Sequence, residues 1–132
     1  VTTRVTLRPA QRAGIERGEF VRVHLPVLPA MAAPFGRAAS SVLVGSVAGE
    51  LRAYWNACPH RLVPLDFGGL SPMSDDRKYL LCNQHGALFR PEDGVCIEGP
   101  CVGDALTAVG VAAGGEDDLL VEEVNGPTAP RE

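Results

Sequence analysis

Cysteine and histidine are the side chains best suited to holding soft or borderline metal ions, and this sequence sets them in two close pairs. Cys58-Pro59-His60 has one residue between its ligands, and Cys82-Asn83-Gln84-His85 has two; residues 61–81 separate the pairs. A cysteine and a histidine this close, beside Pro59 or Gly86, suit a loop tip that turns both side chains toward one metal centre. Gly86 adds the backbone freedom such a tip uses. One pair would be a weak signal, but two in a short chain are a strong one. Two cysteines and two histidines also make a zinc set, which leaves a zinc-stabilised interaction module open. Zinc motifs usually place their ligands on a helix or knuckle, and nothing helical is predicted after Cys82.

The elements that must carry these pairs are short. The chain has 132 residues, 45% of them apolar, enough for one domain with a modest packed core. Glycine and proline are abundant, at 15 and 11, and no long apolar pattern of helical period emerges. Alternating runs dominate, which predicts antiparallel strands joined by tight turns. Strands are expected over residues 1–7, 20–25, 41–48, 50–56, 79–82, 87–90, 95–98, 105–111 and 119–124. A hairpin is expected at Gly49, with turns at 91–94 and 114–117. Residues 26–37 read as an irregular loop, with room for a short helical turn. The fold class is therefore all-β: one domain over residues 1–124 and a flexible tail over 125–132.

Charge and hydropathy narrow the partners. A formal charge of −4 argues against nucleic acid, which needs a basic face; a protein with a basic patch is the easier partner. No run approaches the roughly 18 apolar residues of a membrane helix. The N-terminal stretch carries Arg4, Arg8 and Arg12 with no apolar core after them, so it reads as mature protein and not as a signal peptide. The default compartment is then the cytoplasm, where cysteines are more often ligands or free thiols than disulfides. A monomer is the simplest expectation.

Taken together, the motifs resemble the Rieske iron–sulfur domain. The family pattern is C-x-H, a spacer, then C-x-x-H, with two cysteines on one iron and two histidines on the other. Residues 56–61 resemble its first cluster loop, residues 82–89 its second, and residues 94–100 the strand and proline-bearing third loop that cover the cluster. The spacer is a few residues longer than is common, and the surplus falls in the polar stretch 71–78, read as a hairpin tip or partner-contact loop. The resemblance implies a β-sandwich base with a small cluster-binding subdomain over about 57–101. It also implies a [2Fe–2S] cluster held by Cys58, His60, Cys82 and His85, with the histidines on the outer iron. Arg61, Arg90 and the 71–78 loop would form the rim for docking.

The resemblance also bears on the potential. Histidine ligation lowers the negative charge of the centre and raises its potential, to roughly −150 to +300 mV across such centres. The high-potential respiratory branch adds a disulfide between the cluster loops and two hydroxyl donors. Here those positions hold Val63 and Gln84, and Ala87 and Phe89, so a potential toward the low end is implied. A fall in potential at alkaline pH is implied by the histidine ligands.

The function implied is a one-electron carrier of the stand-alone ferredoxin type, receiving electrons from a reductase and passing them to a terminal oxygenase or another acceptor. It would have no substrate site of its own. A catalytic mononuclear iron needs two further histidines; the chain has three in all, and His24 alone cannot supply them. The alternative is a non-catalytic Rieske-fold small subunit of a larger oxidoreductase, such as assimilatory nitrite reductase. The remaining residues have simpler readings. Cys96 and Cys101 are small buried residues beside the cluster, His24 a surface histidine, and Trp55 and Phe67 core aromatics. Asp75-Asp76 and 116–118 are solvated turns.

Overall fold

The structure is a computed structural model that describes residues 2–24, 41–59, 65–66, 71–83, 86–115 and 117–122. Among the described residues, nine strands and one helix follow in the order β1 (Thr2–Thr6), α1 (Pro9–Glu16), β2 (Val21–His24), β3 (Ser41–Val47), β4 (Glu50–Trp55), β5 (Leu80–Leu81), β6 (Leu88–Phe89), β7 (Cys96–Glu98), β8 (Ala108–Ala113) and β9 (Asp118–Glu122). Six strands form one antiparallel sheet in the order β1-β9-β8-β4-β3-β2, and β5-β6-β7 form a second. Each expected strand has its counterpart, so the chain is all-β. The loop expected at 26–37, the aromatic Phe67 and the tail 125–132 lie outside the described residues.

The β3–β4 hairpin divides the interior in two. Side chains on a strand alternate between faces, and here both faces are covered. Val42 pairs with Trp55 and Val44 with Ala53, and these four enter one core with Val23, Val109, Leu119 and Val121. Leu43 pairs with Tyr54, and these two enter the other core, with Phe20, Leu65, Leu80, Phe89 and all four cysteines. The first core takes in residues from β2 through β3, β4 and β8 to β9, packed against the six-stranded sheet. That is the sandwich base. At the hairpin tip Ala48 (φ 52°) and Gly49 (φ 83°) adopt the paired left-handed conformation of a two-residue turn matched to strand twist.

Two expectations need correction. No helix was expected over residues 9–16, because the segment offers one large apolar side chain, Ile15, to the core. The helix is instead made by its start. Pro9 sits in the first turn, where its missing N–H costs nothing. Gln11 accepts from the Arg8 N–H at 2.7 Å and donates to the Arg22 carbonyl of β2 at 2.8 Å, so one amide both caps the helix and docks it.

The other correction concerns β8, which begins at Ala108 where 105 was expected. Residues 104–107 are used elsewhere: the Leu106 N–H bonds the Gly94 carbonyl, and the Thr107 carbonyl takes the Trp55 N–H. This stretch hands the chain from the small sheet to the large one before the ladder with β4 starts.

Phe20 is the piece that seals the second core against β3. A Cβ built on Gly45 would lie 2.6 Å from its ring. Gly45→Ala should therefore destabilise the fold by about 1–3 kcal/mol through overpacking, seen as a lower urea midpoint. An unchanged midpoint would mean that Phe20 is free to shift.

Candidate metal centre

The first ligand loop leaves the end of β4. Trp55 is its last residue, and Asn56-Ala57-Cys58-Pro59 turn away from the ladder, with Asn56 N–H still bonded to the Ser41 carbonyl at 3.1 Å. Cys58 is buried. The second ligand loop leaves β5 at Cys82. Its backbone closes on itself, Cys82 N–H donating to Ala87 O and Gly86 N–H to Cys82 O, both at 2.9 Å. Gly86 sits at φ 74°, the left-handed region where a side chain is penalised. Cys82 is fully buried, and the two cysteines belong to the same core. Two thiol side chains from segments more than twenty positions apart are thus brought into one apolar interior. His60, His85, Arg61, Val63 and Gln84 lie outside the described residues.

Asn56 ties the loops together, and it does so with every atom of its amide. Its Oδ1 accepts the Leu65 N–H at 2.8 Å, and its Nδ2 donates to Asp66 Oδ1 at 3.0 Å and to Ser41 Oγ at 3.2 Å. The side chain is wholly buried. The Leu65 carbonyl then accepts from Asn83 twice, from the backbone N–H at 3.0 Å and from Nδ2 at 2.9 Å. The residue two before Cys58 is thereby linked through Leu65 to the residue after Cys82. Asp66, itself buried, is paired with Arg22 of β2 at 3.4 Å. Sequence reasoning quoted Asn56 and Asn83 only as parts of the motif. A buried asparagine beside a ligand cysteine is the signal that could have marked them, because buried amides must be paired.

A third segment closes over the site. After β7 the chain turns at Gly99 (φ 101°) and Pro100, and a Cβ on Gly99 would lie 2.8 Å from Ala87 Cα. The strap therefore rests on the second ligand loop. Tyr54 holds the turn before it, its hydroxyl donating to the Pro91 carbonyl at 2.7 Å. Cys96 and Cys101 are buried as expected, but they are not independent: the Cys101 thiol donates to Cys96 Sγ at 3.0 Å. Burial, reinforced by Cys96, pushes the Cys101 thiol up to about 12. No disulfide joins the four cysteines, which are all described.

The proposed rim is partly committed. Arg90 is paired with Asp93. The 71–78 stretch is a hairpin tip, closed by the Ser74 N–H to Tyr79 carbonyl bond at 3.0 Å and anchored by Arg77 to Glu19 at 2.9 Å. Exposed apolar side chains that the sequence reading passed over, Ile97 and Val102, flank the strap. His24 is exposed and Trp55 fully buried, both as expected.

Comparison with known proteins identifies the family. The model of the Rieske [2Fe-2S] domain matches residues 30–121. No curated protein matches. Among solved structures, the carbazole-bound oxygenase–ferredoxin complex of carbazole 1,9a-dioxygenase is similar, with a TM-score of 0.63 and 18% identity over 98% of this chain. The chain spans 30% of the length of that match.

The ferredoxin of carbazole 1,9a-dioxygenase from Nocardioides aromaticivorans gives a TM-score of 0.56 at 20% identity, over 91% of this chain and 97% of that one. A candidate NADH-dependent nitrite reductase small subunit from Mycobacterium tuberculosis gives 0.52 at 17% identity, over 92% and 93%. At these identities the structures share the fold.

The residues present fit the family's [2Fe–2S] cluster. Iron–sulfur centres take thiolate ligands, and Cys58 and Cys82 could supply two, buried together among Leu65, Leu80, Ala87 and Phe89. Charge is costly in such an interior. A set with two thiolates balances the cluster core and leaves the oxidised centre formally neutral, which suits apolar walls better than four thiolates would.

Asn56→Ala removes a tie used at three contacts and strands the Leu65 N–H in the interior. The expected cost is about 1–3 kcal/mol, measured by denaturant unfolding of the cluster-loaded protein, together with faster cluster loss to a chelator. A change below about 0.5 kcal/mol, the range of ordinary surface substitutions, would contradict the assigned role.

Proposed function

The chain belongs to the Rieske [2Fe–2S] domain family, and from that we propose that it is a one-electron carrier, passing electrons between redox proteins. The observation that carries this is the convergence of Cys58 and Cys82, from two cross-tied loops, into one apolar core. Under this reading Cys58 and Cys82 hold the inner iron, and His60 and His85 hold the outer iron. The bound cluster supplies reversible one-electron oxidation and reduction.

The protein's part is to position and insulate. The Asn56–Leu65–Asn83 links fix the spacing of the two loops, and the strap over Ala87 covers the sulfur side. Rigid ligands and a dry setting keep reorganisation on electron transfer small. Ala87 and Phe89, both fully buried in the core, offer no hydroxyl to a ligand sulfur. This supports a potential toward the low end of the Rieske range, as suits delivery to an oxygenase-type acceptor. Of the three histidines, two are assigned to the cluster and His24 is exposed on β2.

The named similarity to a carbazole dioxygenase ferredoxin favours a reductase and a terminal oxygenase as partners. The similarity to a nitrite reductase small subunit favours a second reading, a subunit of a larger oxidoreductase. Native mass and co-purification from the source cell separate the two: a free chain for the carrier, a stable complex for the subunit. Among the described residues no helix is long and apolar enough to cross a membrane.

Reductive titration of the iron-loaded protein should take up one electron per chain, with a midpoint potential below zero at neutral pH. Uptake of two electrons, or a midpoint well above zero, would contradict the reading. Cys58→Ser and Cys82→Ser should each lose the iron and acid-labile sulfide found in the parent, whereas Cys96→Ala and Cys101→Ala should keep them; retained iron in the first pair would remove those cysteines from the ligand set. Phe89→Tyr offers the missing hydroxyl and should raise the midpoint. A hydrogen bond worth roughly 1.4 kcal/mol to the reduced state corresponds to about 60 mV for one electron; no rise would show that position 89 does not reach the ligand sulfurs.

A further inference from the structure

The carrier reading leaves Cys96 and Cys101 without a task, yet their sulfurs face each other at 3.0 Å in the interior. Backbone bonds hold the two residues side by side. The Cys96 N–H bonds the Asp104 carbonyl and the Asp104 N–H bonds the Cys101 carbonyl, both at 2.9 Å, so one residue grips both cysteines. The Cys96 thiol is directed at the Glu98 carbonyl at 3.3 Å, within the same strap. A disulfide needs sulfurs about 2.05 Å apart, so closing this pair takes about 1 Å of sulfur movement. Cys101 also lies within reach of Cys58, but Cys58 is assigned to iron, and Cys96 remains as the free partner.

We propose that Cys96 and Cys101 form a redox-responsive dithiol, oxidised by hydroperoxide to a disulfide that closes the strap into a ring where it covers the second cluster loop. The chemistry balances within the pair. One thiol attacks a peroxide oxygen, the O–O bond breaks, and a sulfenic acid and one water form. The second thiol attacks that sulfur, the S–S bond forms, and the hydroxyl leaves as a second water. Two thiols lose two electrons and two protons, and one hydrogen peroxide is reduced to two waters. The outer side of the strap faces solvent through Ile97 and Val102, which gives a small oxidant a short path inward. The effect of closure follows from the contact between Gly99 and Ala87. A bridge joins the two ends of the strap to each other, so the segment that rests on Ala87 keeps its bent shape and has less freedom to open. Setting Cys58 aside as a partner and reading the clamp by the cluster both rest on the cluster assignment, whereas the peptide map reports the thiol pair directly.

The test treats the iron-loaded full chain with hydrogen peroxide, quenches it with acid, alkylates it with iodoacetamide in denaturant and maps it by mass spectrometry. The expected product lacks label at Cys96 and Cys101 and is two hydrogen masses lighter across them, and both sites become labelled after dithiothreitol. Cys96→Ala should leave Cys101 labelled. Full labelling of both thiols, a Cys58–Cys101 bridge, or sulfinic acid at either position would overturn the proposal. The clamp has its own readout: visible absorbance of the cluster should be lost to a chelator several-fold more slowly after oxidation than after dithiothreitol. Equal rates would show that the bridge, if formed, restrains nothing.

Discussion

The buried amide of Asn56 is the constraint on which the rest of the site depends. It leaves β4 as part of the sheet, bonded through its backbone to Ser41, and then uses its side chain to catch Leu65 and Asp66. Leu65 passes the connection to Asn83, one residue past Cys82. A metal centre shared between two loops requires that the loops hold their spacing in the absence of a continuous strand. In an apolar interior, unpaired amide groups would be costly, so this arrangement is favoured over any in which the loops part. The polar network acts as a ruler because it is buried and fully satisfied.

Beneath that network the β3–β4 wall does the mechanical work. Alternation along two paired strands sends Val42, Val44, Ala53 and Trp55 to the sandwich core, and Leu43 and Tyr54 to the core that holds the cysteines. Each pair in the register contributes to the same side. The site is therefore built on the back of the sandwich core, and its floor moves only if the main sheet moves. Tyr54 extends the same support to the strap, through its bond to Pro91. The strap, the two ligand loops and the wall are one packed unit.

Much of this was legible in the residues, and the parts that were not share a physical cause. Period-two alternation and turn residues marked all nine strands, since those signals are local. The ligand spacing marked the loops for the same reason. The helix at Pro9–Glu16 was missed because its stability comes from a capping glutamine that docks on β2, and from no apolar stripe. The start of β8 was misplaced because residues 104–107 bond to Gly94 and Trp55 before the ladder begins. The Asn56–Leu65–Asn83 connection and the Cys96–Cys101 contact join positions that no periodicity relates. Such partners are chosen by the folded shape, and only burial of a polar or thiol group hints at them in advance.

Electron paramagnetic resonance of the iron-loaded protein after dithionite reduction tests the central claim most directly. The account predicts a signal of the mixed cysteine–histidine [2Fe–2S] type, distinct from that of an all-cysteine cluster, at about one spin per chain and absent from the Cys58→Ser and Cys82→Ser proteins. Protein that holds iron and sulfide yet gives no such signal, or gives that of an all-cysteine cluster, would contradict it.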